Sequence, residues 1–457
     1  MSVSGVWLGL SARTWRLAVL AGVATGIVYA LSPLTVWFVA AAAAMLVWAE
    51  RGLPADERRL VRGILIVAIA LRLLAVVALF ALTDHRETPF ATFFGDEDFF
   101  IKRSIWLRNI ALGVPIHSAD LIYAFDEVGQ TSYLYLLAWV QVLVGPSPYG
   151  VHLVGMAFYL AAVVLLFRLA RRTLGRAPAY AGLVLLLFLP TLFAWSISAL
   201  KEAAFLLLTA TVIGIVEVIV RGRSWPRRLA ALAATGVLIV LIESVRRAGA
   251  LVTGVSLVGG LAAAAVITRP RLLLATMVAT PIVIGAVLSR PEAQLQAYRA
   301  VQRGADQHRG HINTPGYVYK TLDDRFYISG RTIQDMRFFE QGRFVLRSLV
   351  SYVVVPLPWK AESRASLAYI PEQIVWYLMV ALLPFGFVCS LRRDPLIASV
   401  LLVFAVVSAT LVALISGNIG TLVRHRGMVI PLIAWMSAAG GFELLSRIST
   451  GRQENKG

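Results

Sequence analysis

The sequence predicts an all-α polytopic membrane protein with about twelve transmembrane helices (eleven to thirteen), and three observations carry that reading. Of the 457 residues, 58% are hydrophobic and only 15% are charged. Mean hydropathy is +0.75. A soluble domain cannot cover so much apolar side chain with polar surface, so lipid is the solvent that fits. The third observation is that basic residues gather between apolar runs, where a positive-inside bias puts them. That placement accounts for the formal charge of +18 without a nucleic-acid partner.

A helix needs about 20 apolar residues to cross the roughly 30 Å hydrocarbon core. The first stretch, 15–49, is too long for one span and is broken by Ser32-Pro33, which predicts a hairpin of two helices. Arg13 and Arg16 precede it, but no small-residue cleavage site follows before Trp48, so it reads as retained rather than as a signal peptide. Further runs lie at about 60–82, 150–170, 178–194, 196–220, 229–244, 248–267, 271–289, 371–391, 395–415 and 427–446. Residues 131–145 (TSYLYLLAWVQVLVG) are apolar but too short for a crossing, and they read as an interfacial or re-entrant helix.

Threading these spans in order puts five arginine groups on one face: Arg51/Arg58/Arg59/Arg62, Arg168/Arg171/Arg172/Arg176, Arg221/Arg223/Arg227/Arg228, Arg269/Arg271 and Arg392/Arg393. That face, with both termini, is expected to be cytoplasmic in a cell inner (plasma) membrane. The chain then divides as follows: 1–82, the hairpin and third span; 83–149, an extracytoplasmic loop; 150–289, membrane helices; 290–370, an extracytoplasmic loop or small lid domain; 371–457, C-terminal membrane helices and a cytoplasmic tail. No internal repeat is visible. Cys389 is the single cysteine, so no intrachain disulfide can form, and its apolar run predicts a packing role.

Ionisable residues close to apolar runs on the outer face are costly and point to function. Asp96-Glu97-Asp98, bracketed by Phe93-Phe94 and Phe99-Phe100, comes first. Repulsion within the triplet and partial desolvation would raise a carboxyl pKa, suiting it to general-base work on an acceptor hydroxyl. A divalent cation held by the same oxygens is the alternative chemistry, and a solvated acidic turn is the plain one. Lys201-Glu202 follows a proline break at Pro190; its ammonium suits a lipid phosphate or a carboxylate of the acidic cluster, or the pair simply caps a helix. Arg246 and Arg247, next to Glu243, stand on the face that should be poor in cations, which a phosphate would explain as well as a Glu243 pair. Asn418, Arg424, His425 and Arg426 follow Ser416-Gly417 before the last span, as phosphate contacts or as snorkelling side chains.

At these residues the chain resembles the GT-C class of membrane glycosyltransferases, which includes protein O-mannosyltransferases and aminoarabinose transferases. The resemblance runs through Asp96-Glu97 in the first large outer loop, the stretch Ser132-Tyr133-Leu134-Tyr135-Leu136-Leu137 with Gly145, the Pro190 to Lys201-Glu202 element, and Asn418 to Thr421 with Arg424-His425-Arg426. It covers about residues 60–220 and is thin beyond. It implies an inverting enzyme that takes sugar from a polyprenyl-phosphate donor, with Asp96 as the catalytic aspartate and Glu97 as its helper. The donor phosphate would be held by Lys201, Arg246, Arg247, Arg424 and Arg426; the acceptor is a glycan, a lipid or a protein. The resemblance fixes no cofactor, and a divalent cation stays open. The family's large C-terminal domain is absent, so the 290–370 loop would supply acceptor contacts.

Two other readings stay open. A lipid-linked glycan polymerase or ligase would set the same arginines against pyrophosphate. A transporter or flippase of a lipid-linked anion would need polar residues through the middles of the spans, which are mostly Ala, Val and Leu.

Overall fold

The computed structural model describes residues 11–84, 96–126, 129–146, 150–312, 320–322, 338–360 and 364–454. Among them there is no strand, only helices and one isolated bridge between Lys320 and Asn418. Ten helices are long and apolar enough to cross a membrane, or up to twelve if each of two bent pairs forms one span. The architecture is all-α and multi-pass.

The chain divides into two compact units, Met1–Ala162 with Ala194–Leu207, and Val163–Phe193 with Leu208–Gly457. In the first unit, α1 (Ala12–Leu31) and α2 (Pro33–Glu50) form the expected hairpin. Ser11 caps α1 by accepting from the Thr14 N–H, and Pro33 starts α2 where a missing N–H costs nothing. After α3 (Ala55–Leu82) come α4 (Asp96–Ala111), α5 (Ser118–Ala124) and α6 (Ser132–Val144), all too short or too polar to span. Phe93, Phe94 and Gly95 lie outside the described residues. The α6 helix matches the short apolar segment read from the sequence.

α4 packs on α6 through Phe100, Ile101 and Leu107 against Tyr133, Leu134 and Leu137. Polar groups lock the register: Gln141 Nε2 donates to Ser104 Oγ at 2.7 Å, and Arg108 Nε to the Gln141 carbonyl at 3.0 Å. Arg103 is fully buried, donates to the carbonyls of Ala124 and Asp126, and stacks on Phe99. Desolvation lowers its pKa, and Asp126 works against that shift.

α7 (Gly150–Thr173) leads to a bent pair, α8 (Arg176–Phe188) and α9 (Pro190–Ser196), at 66°. The 178–194 run is therefore a broken element rather than one straight helix, because Pro190 cannot continue the ladder. The helices α10 (Glu202–Arg221), α11 (Trp225–Val245), α12 (Gly249–Ile267) and α13 (Pro270–Leu288) follow. The described part of the 290–370 connection holds α14 (Pro291–Gly310) and α15 (Phe338–Val354). The chain closes with α16 (Arg364–Arg393), α17 (Pro395–Ile415), α18 (Ile419–Arg426) and α19 (Ile430–Glu454), with α18 and α19 bent by 65°.

In the second unit α16 crosses α19 at Gly386 and Gly440, where a Cβ would come within 1.8 Å of the Met436 carbonyl and 2.5 Å of the Leu382 carbonyl. In lipid, helices are held by such close packing rather than by the hydrophobic effect. Asp394 starts α17, accepts from Ile397 N–H, and takes both guanidinium arms of Arg221 at 2.7 Å.

His308 of α14 is buried against Phe344, Thr321 and Leu414. Burial lowers its pKa from 6.5 to about 4, with neighbouring His311 adding to the shift. Above pH 6.5 the imidazole is neutral in both folded and unfolded chains. Between pH 6.5 and 4 only the unfolded chain takes the proton, so this group withdraws about 3 kcal/mol of stability as pH falls. Thermal midpoints of the detergent-solubilised protein should therefore drop more steeply over that window than those of His308→Gln. Parallel curves would remove the assignment.

Candidate functional site

The acidic triplet opens α4, and the helix separates its members. Successive side chains point about 100° apart, so Asp96 is exposed, Glu97 is buried and Asp98 is half-buried. Asp98 pairs with Lys102 at 2.6 Å one turn on. Glu97 instead enters the interior of the first unit, with its side chain 1% exposed.

There Glu97 Oε2 lies 3.4 Å from His152 Nε2 and accepts from the Ala199 N–H at 3.3 Å. His152 is fully buried one turn into α7. Glu202, also buried, opens α10 just beyond the same turn. The Tyr133 hydroxyl is buried without a hydrogen-bond partner among the described residues. Burial raises its pKa, and the nearby Glu202 and Glu97 raise it further.

The 197–201 turn is pressed onto α7 because residue 155 is glycine; a Cβ there would stand 2.6 Å from the Ser198 carbonyl. Ser198 Oγ closes the turn by donating to the Trp195 carbonyl at 2.8 Å and accepting from the Leu200 N–H. Lys201 follows half-buried. One further charge was missed from sequence. Arg72, inside α3, is fully buried, donates to Ser196 Oγ at 2.7 Å and the Ala68 carbonyl at 3.0 Å, and stacks on Tyr159. The apolar span middles read from sequence thus have an exception, and it is satisfied within the protein.

The arrangement holds one carboxylate outward at a helix start while its neighbour is pinned inside. No group of three His, Cys, Asp or Glu side chains among the described residues is placed to hold a metal ion.

No family model, curated protein or solved structure matches this chain.

The second unit contains the remaining residues singled out from sequence. Arg246 Nη2 lies 3.1 Å from His425 Nε2, so these two do come together, while Arg247 is exposed. Glu243 accepts from the N–H groups of Ala248 and Ala250 at the start of α12, a capping role. Asn418 Oδ1 caps α18 by accepting from the Gly420 N–H. Arg424 is half-buried.

Arg426 has a different task from the one anticipated. It is fully buried, it donates to the carbonyls of Tyr352 and Val355 and to Gln373 Oε1, and it stacks on Trp376 at 4.8 Å. Those carbonyls lie at the end of α15, where Trp376 Nε1 donates to the Val353 carbonyl and the Tyr377 hydroxyl to that of Val354. A guanidinium so fully engaged serves as a helix cap.

Proposed function

We propose that the chain is an inverting glycosyltransferase of a bacterial inner membrane. It moves a sugar from a polyprenyl-phosphate donor to a glycan, lipid or protein acceptor on the extracytoplasmic face, with both termini in the cytoplasm. The observation that carries this reading is the split pair at the start of α4: Asp96 exposed, Glu97 buried against His152 and the Ala199 N–H. A general base must reach substrate yet be held to within a fraction of an ångström, and an anchored neighbour supplies that constraint.

In the proposed reaction, Asp96 takes the proton from an acceptor hydroxyl. The oxygen forms its bond to the anomeric carbon from the side opposite the donor phosphate. The bond from that carbon to the phosphate oxygen breaks, and polyprenyl phosphate departs with the electron pair. Lys201, on the turn that holds Glu97, meets the phosphate as charge develops on it.

The buried Arg72 favours a second reading, as a transporter or flippase of a lipid-linked anion, because ionisable groups inside spans are often functional. Its full use by Ser196, Ala68 and Tyr159 weighs toward a structural clamp. Purified protein given short polyprenyl-phosphate and polyprenyl-pyrophosphate sugars separates the possibilities. Release of polyprenyl phosphate from the first donor alone is expected. Consumption of the pyrophosphate donor alone would indicate a polymerase or ligase, and donor-independent uptake into proteoliposomes a transporter.

A further inference from the structure

A cavity of about 350 Å³ lies in the second unit where α8, α16 and α19 meet, lined by Arg176, Arg392, Arg393, Cys389, Phe442 and Glu443 among others. Its volume falls within the roughly 300–1,000 Å³ of small-molecule sites. The lining carries three guanidiniums and one carboxylate, and that carboxylate is already taken by Arg447 at 3.0 Å. The cavity is therefore short of negative charge.

The turn beside it is shaped around one of these arginines. Arg393 Nη1 donates to the Leu174 carbonyl, and Gly175 follows at φ +94° with no room for a side chain, since a Cβ would sit 2.7 Å from that nitrogen. Arg392 is exposed beside it. On α19, Phe442 is exposed at the cavity wall, and Leu445 and Ile448 continue an apolar surface along the same helix. Basic residues at helix ends are common in membrane proteins and complement the helix dipole. Here, however, they come from two chain segments and converge on one concavity with an apolar track leading from it.

We infer that this cavity binds a phosphate-bearing anion, with arginines on the phosphate and Phe442 against the apolar part, as the headgroup phosphate and acyl chain of a phospholipid would present them. Free phosphate shares the charge chemistry and lacks the apolar part.

Cys389 is the chain's one cysteine and lines the cavity, so its modification rate reports occupancy in the unaltered protein. A neutral maleimide avoids surface-potential effects on the reagent. In nanodiscs, phosphatidylglycerol in place of phosphatidylcholine is expected to slow labelling by at least about fivefold, as occupancy excludes the reagent. Slowing by inorganic phosphate in phosphatidylcholine discs instead would identify the free anion as the occupant. The double exchange Arg176→Gln with Arg392→Gln should restore the rate, with Arg392→Gln alone as the milder variant and gel filtration as the folding control. Equal rates in both lipids with no effect of phosphate would overturn the inference. So would equal slowing in a Cys389→Ser chain carrying Ser449→Cys, an exposed position further along α19.

Discussion

Arg426→Met should be the most destabilising single exchange in the second unit, lowering stability by about 3–5 kcal/mol, because it strands acceptors buried around it. The Tyr352 and Val355 carbonyls and Gln373 Oε1 all depend on this one guanidinium, and Trp376 loses the cation on its face. Burial also holds the Tyr352 phenol above its ordinary pKa, and the Arg426 charge works against that rise. Arg426→Lys should rescue little, since a single ammonium cannot reproduce a planar fork bridging several acceptors. Thermal denaturation in detergent gives the reading. Arg247→Gln, at an exposed position, is the matched control and should leave the midpoint almost unchanged. If Arg426→Met melts with that control, the capping role assigned to this residue is wrong.

Glu97→Gln is expected to separate folding from turnover. The amide keeps an oxygen for the Ala199 N–H but cannot offer His152, 3.4 Å away, the same pair of carboxyl oxygens. A small displacement of the α4 start would then move Asp96 off line, and misplacement by about 1 Å can cost 100-fold in rate. Turnover should fall while the donor KM holds, because Glu97 positions the base rather than binding donor. His152→Gln should do the same, and the double variant should be less damaged than the two losses combined, with a coupling of about 1–3 kcal/mol. Strict additivity would show that the two side chains do not act as a pair.

Much of the architecture can be read from residue pattern because lipid imposes it. The break at Ser32-Pro33, the short α6 and the long apolar runs all follow from backbone hydrogen bonding and bilayer thickness. Three of the marked positions, Glu97, Lys201 and Glu202, do fall within a few residues of one buried turn. What pattern could not supply was direction. Adjacent carboxylates in a row look equivalent until a helix points one outward and the next inward. His152 and Arg72 each interrupt an apolar run, a signal visible in the sequence but outweighed by the arginine-rich connections. The capping role of Arg426 is hidden for another reason: its acceptors lie 53 to 74 residues earlier in the chain, and no local spacing announces them.

The central claim is that Asp96 is the general base of a glycosyl transfer, and Asp96→Asn tests it most directly. The side chain is exposed, so the exchange should leave the thermal midpoint and gel-filtration profile as they are in the unaltered protein. Transfer from a polyprenyl-phosphate sugar, followed as released polyprenyl phosphate, should fall by about 100- to 10,000-fold through turnover. A folded Asp96→Asn protein that transfers sugar at the full rate would contradict the account.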